Sequence, residues 1–401
     1  MMNRVLIFPN THTLSHLARA LAVGDWLDGA GWESHLGVSA LRLEWAAQFH
    51  PRCHVVSELW EPSGTPHPCV RWFHDANHVT KCVDSQERLI RSISPSLIVG
   101  IFDFPSAVSA GNIPRLSING GCMLPLYPGV LGYDATPSSQ QTLQKKVLER
   151  FWAFAGQSFN TALCARKQEP VSSVLDLLVG DVNLIYEIDE ICRLPSLSPN
   201  YHMVGPIAWD GWEKMGERVS PWQRDDSKRT VYLNCGSLAR NGRVRARIME
   251  VCLRHCDRLL VSTGLNGGGD VKSDRVQIRP FLSPAGATAV ADVVVCAGGV
   301  GACYTNLLHG VPSLVVPMQP EQETNGINLE RAGCGRVLRA NLVFLGDPRQ
   351  YEESLDYGYL EETLREMLAT QYLDRQCEQI RQLLVKCRTR EMVIDLAGSL
   401  Q

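Results

Sequence analysis

The sequence predicts an α/β protein made of two layered domains, and three observations carry that prediction. Short apolar runs alternate with helical patterns in both halves of the chain. The alternation restarts after a polar, tryptophan-dotted stretch at 206–229. Glycine-rich turns follow several of the apolar runs, as they do at the carboxyl ends of parallel strands. The 401 residues, 45% of them hydrophobic, suit two or three globular domains, with two the better fit.

In the first half, Val5-Leu6-Ile7-Phe8 reads as a buried strand, followed by a polar loop at 9–15. A helical pattern runs from His16 to Leu27, with Leu17, Ala20, Leu21 and Leu27 on one side, and Gly29-Ala30-Gly31 ends it. Asp84 to Ile93 reads as a second helix and 96–101 as the next buried strand, with Asp103 just past its carboxyl end. A short helix and the strand Arg115-Leu116-Ser117-Ile118 follow, and 119–160 reads as irregular and aromatic. The second half opens on the strand 230–234, the tight loop Cys235-Gly236-Ser237 and a helix over 243–256. Strands at 258–262, 276–278 and 292–296 come next, with a flexible loop at 266–270. Ala297-Gly298-Gly299-Val300-Gly301 leads into a helix ending at His309, then a strand at 313–317, and the tail at 358–398 is helical.

Composition excludes several function classes. The net charge of −3 supplies no strong positive field, so nucleic acid is not an expected partner. No apolar run approaches the ~20 residues that a membrane span needs, and no secretory leader is expected ahead of the first strand. The 14 cysteines are scattered, form no Cys-x-x-Cys pair and read as reduced, buried small hydrophobes of a cytoplasmic protein. No metal site is expected.

The most specific constellation lies at 276–335. Gly298-Gly299-Val300-Gly301 sits between a strand and a helix, where glycine lets the backbone approach a phosphate and the helix offers unpaired N–H groups. A structural turn alone would explain one such motif. Its company makes it specific: Gly310-Val311-Pro312, Pro317, Glu321-Gln322, Asn325 and Ala332-Gly333-Cys334-Gly335 follow in order. This array resembles the donor-binding signature of nucleotide-sugar glycosyltransferases of the GT-B fold, and within them glycosyltransferase family 1. Y-H-M-V-G-P at 201–206 and V-Y-L-N-C-G-S at 231–237 are similar to family segments at matching places.

The resemblance implies two Rossmann-like domains facing each other across a cleft. Residues 1–205 would bind the acceptor, 206–229 would link, 230–385 would bind the nucleotide sugar, and 386–401 would form a helix packing back on the first domain. It implies donor contacts from Ser237, Phe281 with Leu282 beside it, Ala297, Gly298, Gly299, Val300, Gly301 and Ala302. Glu321 and Gln322 would bind the sugar hydroxyls, from which the carboxylate accepts and to which the amide NH2 donates. His16 matches the family's loop histidine, the general base on an acceptor hydroxyl, with Asp103 as the group that orients it and His12 as the alternative base. Each of these residue types also has a plain structural role: His16 as a helix-start histidine, Ser237 as a cap, Phe281 as a core aromatic.

Four departures from the family pattern stand out. Ala297 replaces the histidine before the glycines and Ala302 replaces the threonine after Gly301. Ser15 and Arg19 replace the glycine before and the proline three after the histidine. Thr305 stands where many UDP-sugar members carry an acid for both ribose hydroxyls, a loss that a deoxyribose tolerates. The implied function is an inverting, metal-independent glycosyltransferase without a cofactor. It would use a dTDP-sugar ahead of a UDP-sugar and a small-molecule, apolar or natural-product acceptor, and a homodimer is compatible with it. A non-catalytic nucleotide-sugar binder and a nucleotide-sugar 2-epimerase are the alternatives.

Overall fold

Val5, Leu6 and Ile7 are wholly inaccessible to solvent, as expected for a strand inside a parallel sheet. They lie in a computed structural model of the protein, which describes residues 3–59, 75–127, 139–194, 197–212, 222–236, 241–264, 271–338, 348–370 and 372–401. The chain divides into two units. The first comprises Met1–Asp189, Leu194–Trp209 and Arg388–Gln401, and the second Glu190–Arg193 and Asp210–Cys387.

The strands of the first unit are β1 (Arg4–Pro9), β2 (Glu33–Val38), β3 (Cys53–Val55), β4 (Leu97–Ile101), β5 (Arg115–Asn119), β6 (Val182–Ile185) and β7 (Tyr201–Met203). They form one sheet in the order β3-β2-β1-β4-β5-β6-β7, parallel throughout. The first helix spans Leu14–Gly29 and buries Leu17, Ala20, Leu21 and Leu27. The helix expected from Asp84 begins earlier and spans Ala76–Ile93, because Asp75 caps it by accepting from the His78 amide. The stretch expected to be irregular holds instead a 27-residue helix, Ser139–Ala165. Its buried Leu148, Trp152, Ala155, Phe159 and Ala162 recur every three to four residues along one face. The terminal helix Thr389–Gly398 belongs to this unit, where the Thr389 hydroxyl donates to the Val204 carbonyl at 2.6 Å.

The second unit repeats the plan with β8 (Thr230–Asn234), β9 (Arg258–Ser262), β10 (Val271–Lys272), β11 (Val276–Arg279), β12 (Val293–Cys296), β13 (Ser313–Val315) and β14 (Gly335–Val337). The order is β10-β11-β9-β8-β12-β13-β14. Only the two-residue β10 runs antiparallel to its neighbour. Val231, Leu233, Val261, Val293, Val295 and Leu314 form the middle of its core, fully buried.

Both sheets reverse their strand order beside their first strand: β1 lies between β2 and β4, and β8 between β9 and β12. The carboxyl ends of strands at such a reversal are where open α/β sheets bind ligands. His16 and Asp103 follow β1 and β4. The glycine motif follows β12, beside β8.

Candidate active site

In the second unit, β12 ends at Cys296 and the turn Ala297-Gly298-Gly299 leads into the helix Val300–Leu308. Gly298 has φ +86°, and a Cβ there would stand 2.5 Å from Val315 Cγ1 and 2.8 Å from the Gln322 carbonyl oxygen. Only glycine fits, for conformational and steric reasons together. Gly299 is the N-cap of the helix, and no side chain caps its amides. The first-turn N–H groups of Val300, Gly301 and Ala302 therefore offer partial positive charge to an anion. Ala297, where the resembled family has histidine, is 5% exposed and packs in the core of the sheet. Thr305 turns its hydroxyl back onto the Gly301 carbonyl at 2.9 Å.

Glu321 and Gln322 open the helix Pro320–Arg331. The two diverge. Gln322 is buried and its side-chain oxygen accepts from the Met318 amide at 2.8 Å, which spends that oxygen inside the loop. Glu321 keeps accessible surface. One turn on, the Asn325 amide donates to Glu321 Oε1 at 2.9 Å and to the Gly298 carbonyl at 2.9 Å. Asn325 thus ties the glycine turn to the helix that carries Glu321. Sequence reading placed Asn325 in the motif without a role; its i, i+4 spacing from Glu321 is the signal that points to one. Asn325→Leu leaves both acceptors short of a donor, and we expect a loss of about 2–3 kcal/mol in denaturant unfolding.

After β11, Leu282 is buried and Phe281 is partly exposed, its ring 5.8 Å from that of Trp212 and tilted by 31°. The pair forms an aromatic shelf. Ser237 lies outside the described residues, as does the loop at 266–270.

In the first unit, His16 sits in the opening turn of helix Leu14–Gly29, its ring 5.2 Å from Phe102. Phe102 has φ +48°, a strained conformation for a bulky side chain, immediately after β4. His16 Nδ1 is buried and makes no hydrogen bond of good geometry. Burial first, then the charges of Arg19 and His12, lower the His16 pKa to about 3, against a small opposing effect of the Asn10 backbone. The ring is therefore neutral at physiological pH.

Asp103 does not orient His16. Its carboxylate accepts from Gln86 Nε2 at 3.2 and 3.3 Å and from the Ser106 amide at 2.9 Å, so it caps the short helix Pro105–Ser109. Burial raises its pKa, partly offset by those hydrogen bonds. Asp103 instead lines a small cavity at the carboxyl ends of β1 and β4 with Asn10, Thr11, Glu58 and Gln86. Gln86 was not foreseen; the sequence offers no local signal for a partner 17 residues upstream.

The model of the glycosyltransferase family 28 C-terminal domain matches residues 258–375, which include the glycine turn, Glu321 and Asn325. A PGL/p-HBAD biosynthesis rhamnosyltransferase of Mycobacterium bovis (strain BCG / Pasteur 1173P2) is 25% identical over 353 residues, 84% of this chain and 77% of that protein. Among solved structures, the glycotransferase of kitacinnamycin superposes with a TM-score of 0.71 at 15% identity, covering 100% of this chain and 98% of its own. The spinosyn rhamnosyltransferase SpnG complexed with thymidine diphosphate gives 0.67 at 15% identity, covering 99% and 100%. The fold is the two-domain α/β fold of GT-B glycosyltransferases, and the chain is a glycosyltransferase. The matched model is that of family 28, whereas the motifs resemble family 1. Among the described residues no helix is long and apolar enough to cross a membrane.

Proposed function

We propose that this glycosyltransferase is an inverting enzyme moving a sugar from a nucleoside diphosphate, thymidine ahead of uridine, to a hydroxyl of a small-molecule acceptor. The observation that carries the proposal is the uncapped helix start at Gly299–Val300, set behind a glycine that Asn325 fixes to Glu321. One end of that unit suits a diphosphate, and the accessible carboxylate suits sugar hydroxyls.

His16, its ring neutral, removes the acceptor proton. The acceptor oxygen forms a bond to the anomeric carbon as the bond from that carbon to the diphosphate oxygen breaks, with inversion. The leaving charge falls on the first-turn amides of Val300–Leu308, which need not reorganise to receive it. The scheme uses no metal and no cofactor. Phe281 and Trp212 offer a stacking face for the base, and Thr305, satisfied within its own helix, makes no demand on a second ribose hydroxyl. The thymidine diphosphate bound to the SpnG structure supports the thymidine preference.

A thermal-shift panel tests the reading. A nucleotide at about 100 times its Kd adds ~2.7 kcal/mol of stability, and the expected order is TDP above UDP above GDP. No shift with any of the three overturns the proposal, and UDP above TDP moves it to uridine donors. Burial of Ala297, with no polar group there for the diphosphate, favours a second reading: a protein that binds the donor without transferring it. Donor binding with neither transfer nor donor hydrolysis would establish that reading.

A further inference from the structure

Arg19 is 4% exposed, yet no carboxylate lies within ion-pair distance of it among the described residues. Its guanidinium rests 3.9 Å above the Tyr186 ring, and Nη1 reaches the Ser15 carbonyl at 3.4 Å. Nε is buried and has no partner. The buried carboxylate next in sequence to Tyr186, Glu187, accepts from the Gly121 amide at 2.5 Å. A buried cation without a counter-charge costs several kcal/mol, and neither the aromatic ring nor one long hydrogen bond offsets that. Arg19 lies three residues after His16 on the same helix, so the two side chains share a face. Phe102 and Phe104, their rings 5.4 Å apart, line the neighbouring β4 exit.

We propose that Arg19 is an anchor for an anionic acceptor: a carboxylate or phosphate monoester on the acceptor pairs with the guanidinium, one helical turn from the base. This rests on the transfer reaction proposed above. Two oxygens of a carboxylate or of a phosphate match the guanidinium fork, and Tyr186 holds that fork from below. The anion supplies the missing counter-charge. It also screens Arg19 from His16, and so leaves the ring a stronger base once the acceptor is bound. An aromatic body on the acceptor would find Phe102 beside the histidine.

The test uses the full chain and four probes: benzoate, phenyl phosphate, and their neutral counterparts methyl benzoate and phenol. Binding is measured by ligand-observed NMR in wild type, Arg19→Met and Arg19→Lys, with the TDP thermal shift recorded alongside. Wild type is expected to bind at least one anionic probe about tenfold or more tighter than its neutral counterpart. Arg19→Met should erase that difference without changing the TDP shift. Lysine keeps the charge but loses the fork, so Arg19→Lys should weaken the anion several-fold, and it serves if the methionine variant does not fold. The tighter anion identifies carboxylate or phosphate as the group. Equal binding of charged and neutral probes by wild type, or a preference that survives in Arg19→Met, overturns the proposal. A missing TDP shift with an intact anion preference instead removes the donor reading and leaves Arg19 as an anion site.

Discussion

Replacing His16 with alanine is expected to lower turnover by about 10²- to 10⁴-fold, the usual contribution of a positioned general base. Donor affinity should stay within twofold of wild type, because His16 belongs to the first unit and the glycine turn to the second. Comparing kcat with the TDP dissociation constant separates the two. Full turnover would pass the role to His12, in the same loop. The free protein's His16, with a pKa near 3, gives a second readout. The acid limb that an ordinary histidine base places near pH 6–7 should be absent from kcat/KM for the donor between pH 5 and 8. Stability carries the same signature with a definite sign. The folded pKa lies below the ordinary 6.5, so between those values the unfolded chain binds the extra proton. The stability tied to the neutral ring is complete above pH 6.5 and is lost as pH falls toward 3. Wild type should therefore lose Tm on acidification more steeply than His16→Asn.

How much of this was legible depended on the range over which each signal acts. The strands were readable because runs such as Val293-Val294-Val295-Cys296 are apolar on both faces, as parallel strands in a covered sheet must be. The glycine motif was readable because its demand is local: Gly298 is fixed by its own positive φ and by the return of Val315 beside it. The long helix Ser139–Ala165 was missed although its three-to-four spacing is present. Phe151, Trp152 and Phe154 crowd three of four successive positions and mask the period. Asp103 was placed correctly at the exit of β4 and wrongly beside His16. Which partner a buried carboxylate takes is set by Gln86, brought in from another helix by the fold. Glu321 and Gln322 look equivalent as a pair in sequence, but adjacent positions on a helix point about 100° apart. One faces out and the other is pinned to the Met318 amide.

The adjacent glycines allow the strongest contrast, because their reasons for being glycine differ. Gly298→Ala forces a Cβ to 2.5 Å from Val315 Cγ1 and 2.8 Å from the Gln322 carbonyl, at φ +86°. Strain and clash together should cost about 2–4 kcal/mol in denaturant unfolding and displace the turn that Asn325 holds. Gly299 has φ −60° and no atom within 4 Å of a hypothetical Cβ. Folding therefore gives Gly299 no need to be glycine, and Gly299→Ala should change stability by no more than about 0.5–1 kcal/mol. Its Cβ would nevertheless project beside the uncapped amides, into the space a phosphate must enter. If those amides hold the diphosphate, Gly299→Ala keeps its fold and loses at least tenfold in TDP affinity, whereas Gly298→Ala loses both. A Gly299→Ala protein that is stable and binds TDP as wild type does would mean that the leaving group rests elsewhere. The helix start would then be a structural turn, and the electrostatic account of departure would fall with it.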